Sequence, residues 1–148
     1  MAKKSEKHGK SRGFKIKEDE PKLTPLDFEK DKLASDKEGV SISLKYYREE
    51  TECFSEWQSG EMKKFSATIK KVSGLSASTL KGHKPLCVPH KYDPAESRFT
   101  RPDKLSEDLS FFELKVDPSN KARVHGVFVG SVFFLVWLDR LHAVYPEK

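Results

Sequence analysis

The stretch from Leu109 to Tyr145, LSFFELKVDPSNKARVHGVFVGSVFFLVWLDRLHAVY, constrains this chain more than any other. It concentrates β-forming residues, two turn signals and the densest apolar run. Ser110 to Val116 reads as a strand and residues 117–120, DPSN, as a turn. Ala122 to Val129 reads as a second strand. Gly130-Ser131 fits a two-residue type II′ hairpin, in which glycine supplies the positive φ. Val132 to Leu138 is a third strand, and His142 to Tyr145 a short fourth. Pairing about Gly130-Ser131 sets Val129 against Val132, Phe128 against Phe133, His125 against Val136 and Arg123 against Leu138. Both faces of such a sheet are mostly apolar. Helices should cover one, and the other turns polar toward Arg123.

Upstream, Val40 to Tyr47 alternates as a strand. Thr51 is the expected cap of a helical region that starts an apolar face at Phe54 and Trp57. Gly60 is expected to break it, with Ser59 capping a restart. Met62, Phe65, Ile69 and Val72 then recur at helical spacing, and Gly74 ends the helix. Leu75 to Lys81 is a second, short helix capped by Ser76. Residues 83–104 contain four prolines and read as a long loop. The expected fold is therefore α+β: a small antiparallel sheet built from one strand, two helices and a three- to four-strand meander. It occupies residues 40–148, behind a charged tail, residues 1–39, too polar to pack.

Charge narrows the partners. Of the net charge of +5, residues 1–17 hold seven basic side chains against Glu6, and residues 18–38 hold eight acidic against four basic ones. The folded part therefore carries about +3, so nucleic-acid binding there must rest on local placement. The longest apolar run has a strand's length, and no apolar segment follows the first lysines, so neither a membrane span nor a secretory signal is expected. Cys53 and Cys87 make no disulfide framework, and a reducing, cytoplasmic setting is the expectation. His83, Cys87 and His90 have a metal-like spacing, but zinc wants a fourth ligand and structural sites favour paired cysteines. No metal and no cofactor is expected.

The strand pattern gathers Lys115, Arg123, His125, Arg140 and His142 at one end of the sheet. Cations of that kind stabilise charge on phosphorus, and a histidine moves a proton near neutral pH. The competing reading pairs Arg123 with Glu113 across the sheet and makes His125 a satisfied, half-buried histidine.

The run SFFELKVDPSNKARVHGVFVGSVFFLVWLDRLH, in the order strand, two helices, meander, resembles the RelE/ParE superfamily of bacterial toxins. Its RelE- and HigB-like members are ribosome-dependent mRNA endonucleases. The resemblance covers residues 40–148. It implies that Lys115 is the basic residue of the second strand and Arg123 the arginine that contacts the scissile phosphate. It puts Arg140 or His142 at the catalytic position after the last strand, and makes Tyr145 an RNA-contacting tyrosine. It implies a toxin–antitoxin endoribonuclease acting on mRNA, a hydrolase by class, with mRNA or the ribosome and a cognate antitoxin as partners. On that reading Arg123→Ala abolishes cleavage and leaves the thermal melt nearly unchanged. Glu113 stands where the family often has a second basic residue. The alternative is a catalytically inactive toxin-like domain that binds a protein or a nucleic acid.

Overall fold

The computed structural model describes residues 39–91, 93–117 and 119–146. The tail expected over residues 1–39 lies almost wholly outside them. The order of elements is β1 (Ser41–Ser43), a 3-10 turn (Phe54–Glu56), α1 (Ser59–Val72), α2 (Ala77–Gly82), β2 (Cys87–His90), β3 (Phe111–Lys115), β4 (Arg123–Val129) and β5 (Val132–Asp139). The five strands form one sheet in the order β1-β5-β4-β3-β2. β1 runs parallel to β5, and the other neighbours are antiparallel. The fold is small and α+β, as the sequence predicts. No helix among the described residues is long and apolar enough to cross a membrane.

The hairpin between β4 and β5 turns at Gly130, whose φ is 55°. Val129 faces Val132 and Phe128 faces Phe133, as the pattern predicts. Past Gly126 the prediction fails by one residue. His125 pairs with Trp137 and Arg123 with Asp139, because the register shifts between His125 and Gly126. Val136 is left without a ladder partner, and its carbonyl accepts instead from the Arg48 backbone N–H at 2.9 Å. The bulge exchanges the faces of Trp137 and Leu138. It also draws β5 against Gly126, where a Cβ would lie 2.0 Å from the Phe134 carbonyl oxygen.

The helical region breaks at Trp57 and Gln58, not at Gly60, and neither Thr51 nor Ser59 caps it. Glutamates close both starts: the Cys53 N–H donates to Glu56 and the Gln58 N–H to Glu61. Ser76 caps α2, accepting from the Thr79 N–H at 3.2 Å. Phe65 and Val72 of α1 and Leu80 of α2 pack with Val124, Phe128, Phe133, Leu135 and Leu138 on one side of the sheet. Phe54, Trp57 and Phe65 form an aromatic trio at its margin, with centroids 5.6–5.9 Å apart.

Two further expectations are corrected. Residues 83–104 are not one loop, because Cys87–His90 forms the edge strand β2. Pro89 does not prevent this, since an edge strand needs no donor on its outer side. The chain over residues 93–109 brings Phe99 and Leu105 over the second sheet face, against Phe111, Val127, Val136 and Trp137. His142 to Tyr145 is not a strand but a tight irregular loop, which Asp139 holds by accepting from the Ala143 and Val144 N–H groups at 2.7 and 3.0 Å. Val144 in turn accepts from the Ala95 N–H.

Candidate functional site

Cross-strand neighbours project from the same face of a sheet. The observed register therefore lines up Lys115, Arg123 and Asp139 in one row, and Val88, Glu113, His125 and Trp137 in the next. The apolar cover from residues 93–109 stops short of this end. A cleft of about 600 Å3 opens there, lined by His90, Glu113, Lys115, Arg123, His142 and Tyr145, with Asp93 at its rim.

Glu113 is the centre of the cleft and is only 4% exposed. Its Oε1 lies 3.0 Å from His142 Nε2 and 3.7 Å from His90 Nε2. Its Oε2 lies 3.7 Å from Arg123 Nε. Burial alone would raise the Glu113 carboxyl, but the neighbouring His90, His125 and His142 outweigh it and hold the group below its usual range. It is therefore a carboxylate, and a buried carboxylate needs such cationic or donating neighbours.

Arg123 is 5% exposed. Its Nη1 donates to the carbonyls of Asn120 and Ala122 at 2.7 and 3.0 Å, while Nε has no hydrogen-bond partner. The guanidinium thus both fastens the β3–β4 turn and faces the cleft. Lys115 is half-buried beside it, with no ion pair among the described residues. His142 sits in the left-handed region, at φ 57°, which swings its imidazole back onto Glu113. Tyr145 stacks on His90 with ring centroids 3.9 Å apart and planes 7° apart. Burial pushes the Tyr145 phenol up to about 12, so it is a neutral hydroxyl at neutral pH.

Two of the residues predicted at the site stand elsewhere. His125 is fully buried behind Glu113, with Nε2 2.8 Å from Asp139 Oδ2, and no substrate reaches it. Burial lowers its basicity more than Asp139 and Glu113 raise it. Arg140 follows β5 to the opposite side. Its Nε donates to Glu61 at 2.6 Å, and its backbone N–H is held by the Glu52 carboxylate. It belongs with α1, not with the cleft. Lys115, Arg123, His142 and Tyr145 are brought together. The Arg123–Glu113 pairing of the competing reading is also present, at 3.7 Å.

In the sequence His90 stands out only for its metal-like spacing, and Glu113 only as a partner for Arg123. His90 was hidden by the loop reading of residues 83–104. Its alternation with Val88 on a short β segment was the available signal. Among the described residues no group of His, Cys, Asp and Glu side chains is arranged to hold a metal.

The cleft has the parts for acid–base work on an anion: two imidazoles on one carboxylate, beside two cations. No protein-family model, curated protein or solved structure matches the chain. The class is thus set by the fold and cleft themselves, a small α+β domain with a His-Glu-His cluster at one sheet end.

Proposed function

We propose that the chain is an endoribonuclease that uses the substrate's own 2′-hydroxyl as nucleophile. The observation that supports this most is the pair of imidazoles, His142 and His90, 3.0 and 3.7 Å from the same Glu113 oxygen, next to Arg123 and Lys115. The scissile phosphate lies against Lys115 and Arg123, which stabilise the negative charge that develops on its oxygens. His142, held by Glu113, takes the 2′-hydroxyl proton. The 2′ oxygen bonds to phosphorus, the bond from phosphorus to the 5′ oxygen breaks, and His90 protonates the leaving oxygen. The products are a 2′,3′-cyclic phosphate and a 5′-hydroxyl. The nucleophile is internal and pre-positioned, and the charges are met by side chains.

In keeping with the resemblance to the RelE/ParE toxins, the substrate is mRNA, on or off the ribosome, and a small antitoxin protein would neutralise the enzyme. Purified protein incubated with synthetic RNA, with and without ribosomes, tests the chemistry through the product ends. Cyclic phosphate and 5′-hydroxyl ends are expected. His142→Ala and His90→Ala should each lose about 10²–10⁴-fold in rate. Products with 5′-phosphate ends would mean that water, not the 2′-hydroxyl, is the nucleophile.

One observation favours a second reading, a domain that binds without cleaving. Glu113 lies at the heart of the cleft and offsets part of the charge of Arg123. In that case RNA or a partner protein binds and no products form.

A further inference from the structure

We propose that the hollow beside the cleft is a second phosphate subsite, which makes the substrate an RNA strand with a phosphate beyond the scissile one. This deepens the reading above and rests on it. The hollow, about 460 Å3, is lined by Ser119, Asn120, Lys121, Arg123, Leu141 and His142, and shares Arg123 and His142 with the cleft. None of these residues is acidic, in contrast to the cleft with its Glu113 and Asp93.

The nearest acid in the turn is already committed. Asp117 is 2.7 Å from Lys64 Nζ and accepts from the Ser119 N–H and hydroxyl at 2.9 Å each. Those contacts hold its carboxyl down at about 2, so it is a carboxylate at neutral pH, paired with Lys64. Lys121 is exposed and has no ion pair among the described residues. Arg123, 5% exposed, lines both spaces, with its Nε 3.7 Å from Glu113 Oε2 and without a hydrogen-bond partner. In the wall, the Asn120 side chain accepts from the Ala122 N–H at 3.0 Å. Leu141, 65% exposed, offers the apolar surface that a ribose or base covers. An exposed lysine, a lining without acidic side chains, a polar turn and one apolar side chain suit a nucleotide next to the reacting one.

The test uses the full chain and a 2′-O-methyl RNA hexamer, which lacks the internal nucleophile and cannot be cleaved. Affinity is measured by calorimetry between 50 and 200 mM salt. Lys121→Gln should weaken binding and reduce the slope of log affinity on log salt by about 0.7, one phosphate contact on a single strand. Lys70→Gln, on the exposed face of α1, should change neither. A 2′-O-methyl dinucleotide, with a single phosphate, should not distinguish Lys121→Gln from the wild type. Equal losses in both variants, no loss in Lys121→Gln, or no hexamer binding by the wild type would overturn the subsite. So would a polyglutamate peptide that binds as tightly as the hexamer, which would assign the hollow to an acidic protein.

Unmodified hexamer separates this proposal from the nuclease reading. Lys121-dependent binding without cleavage keeps the subsite and removes the nuclease. Cleavage with the same KM in Lys121→Gln and wild type does the reverse.

Discussion

His125 and Asp139 are joined between β4 and β5 by a 2.8 Å contact from Nε2 to Oδ2 that is closed to solvent. The Nδ1 of His125 is buried with no partner, so a proton there would be an unsatisfied donor. The neutral ring therefore carries its proton on Nε2 and donates it to the Asp139 carboxylate. Burial alone would raise Asp139, but the His125 bond and the N–H groups of Ala143 and Val144 hold it low. One carboxylate thus fixes both the buried imidazole and the loop that presents His142. Asp139→Ala should cost about 3 kcal/mol, the scale for breaking a buried pair. It should also remove the hydrogen-exchange protection of the Ala143 and Val144 amides. Unchanged protection would show that the loop is held by other contacts.

The pair also gives stability a pH dependence. His125 is less basic folded than unfolded, because burial disfavours its charge. Below the ordinary histidine value of 6.5 the unfolded chain takes up a proton that the folded chain does not, so stability falls as pH falls through that region. One such proton contributes up to about 1.4 kcal/mol per pH unit. Asp139 behaves as a depressed carboxylate. Its contribution is present above about 3.8 and is lost as pH falls through its lower folded value. Chemical denaturation at a series of pH values should show the first decline, and His125→Gln should flatten it.

Gly126 makes the bulge, and the bulge makes the site. A Cβ at this position would lie 2.0 Å from the Phe134 carbonyl and 2.8 Å from the Phe133 ring. Backbone cannot yield as a flexible side chain does. Gly126→Ala should cost at least the upper end of the ~1–3 kcal/mol typical of overpacking. A melting temperature within a degree of wild type would show that β5 moves aside freely.

Arg123 is not the cation, removable without loss of stability, that the toxin-like reading expects. Its Nη1 holds two backbone carbonyls and its Nε faces the buried Glu113. Arg123→Ala should cost about 3 kcal/mol in urea unfolding, besides any loss of cleavage. Activity should therefore be compared at a temperature where the variant remains folded.

Arg140 provides the contrast. Its bond to Glu61 is short but partly exposed, with 29% and 15% of the two side chains open to solvent. Arg140→Ala should change stability by no more than about 1 kcal/mol and leave cleavage intact. A loss of cleavage comparable to that of His142→Ala would place Arg140 in the reaction after all.

Much of the fold is legible in the sequence, and the reasons are local. Gly130-Ser131 dictates its own turn, and Phe65 and Val72 of α1 repeat at helical spacing and are buried. What is not legible depends on partners distant in sequence. Alternation alone puts Trp137 and Leu138 on the wrong faces, because the Val136 bulge is stabilised by Arg48, far away in the chain. Gly126 in mid-strand was the clue to that bulge. Cys87–His90 becomes a strand only because β3 offers an edge to it. At the site, Lys115 and Arg123 could be placed at one sheet end from strand alternation, although the partner of Arg123 on β5 is one residue further on. The roles of Glu113 and His90 required knowing that β2 lies beside β3.

The most direct measurement is the mapping of RNA 5′ ends in a bacterial host after induction of the wild type, His142→Ala and His90→Ala. Growth arrest is expected in the wild type, with new, clustered ends bearing 5′-hydroxyls in mRNA. Both variants, folded by their thermal melts, should give neither. Normal growth with unchanged ends in the wild type would contradict the nuclease reading, and so would clusters that persist in both variants.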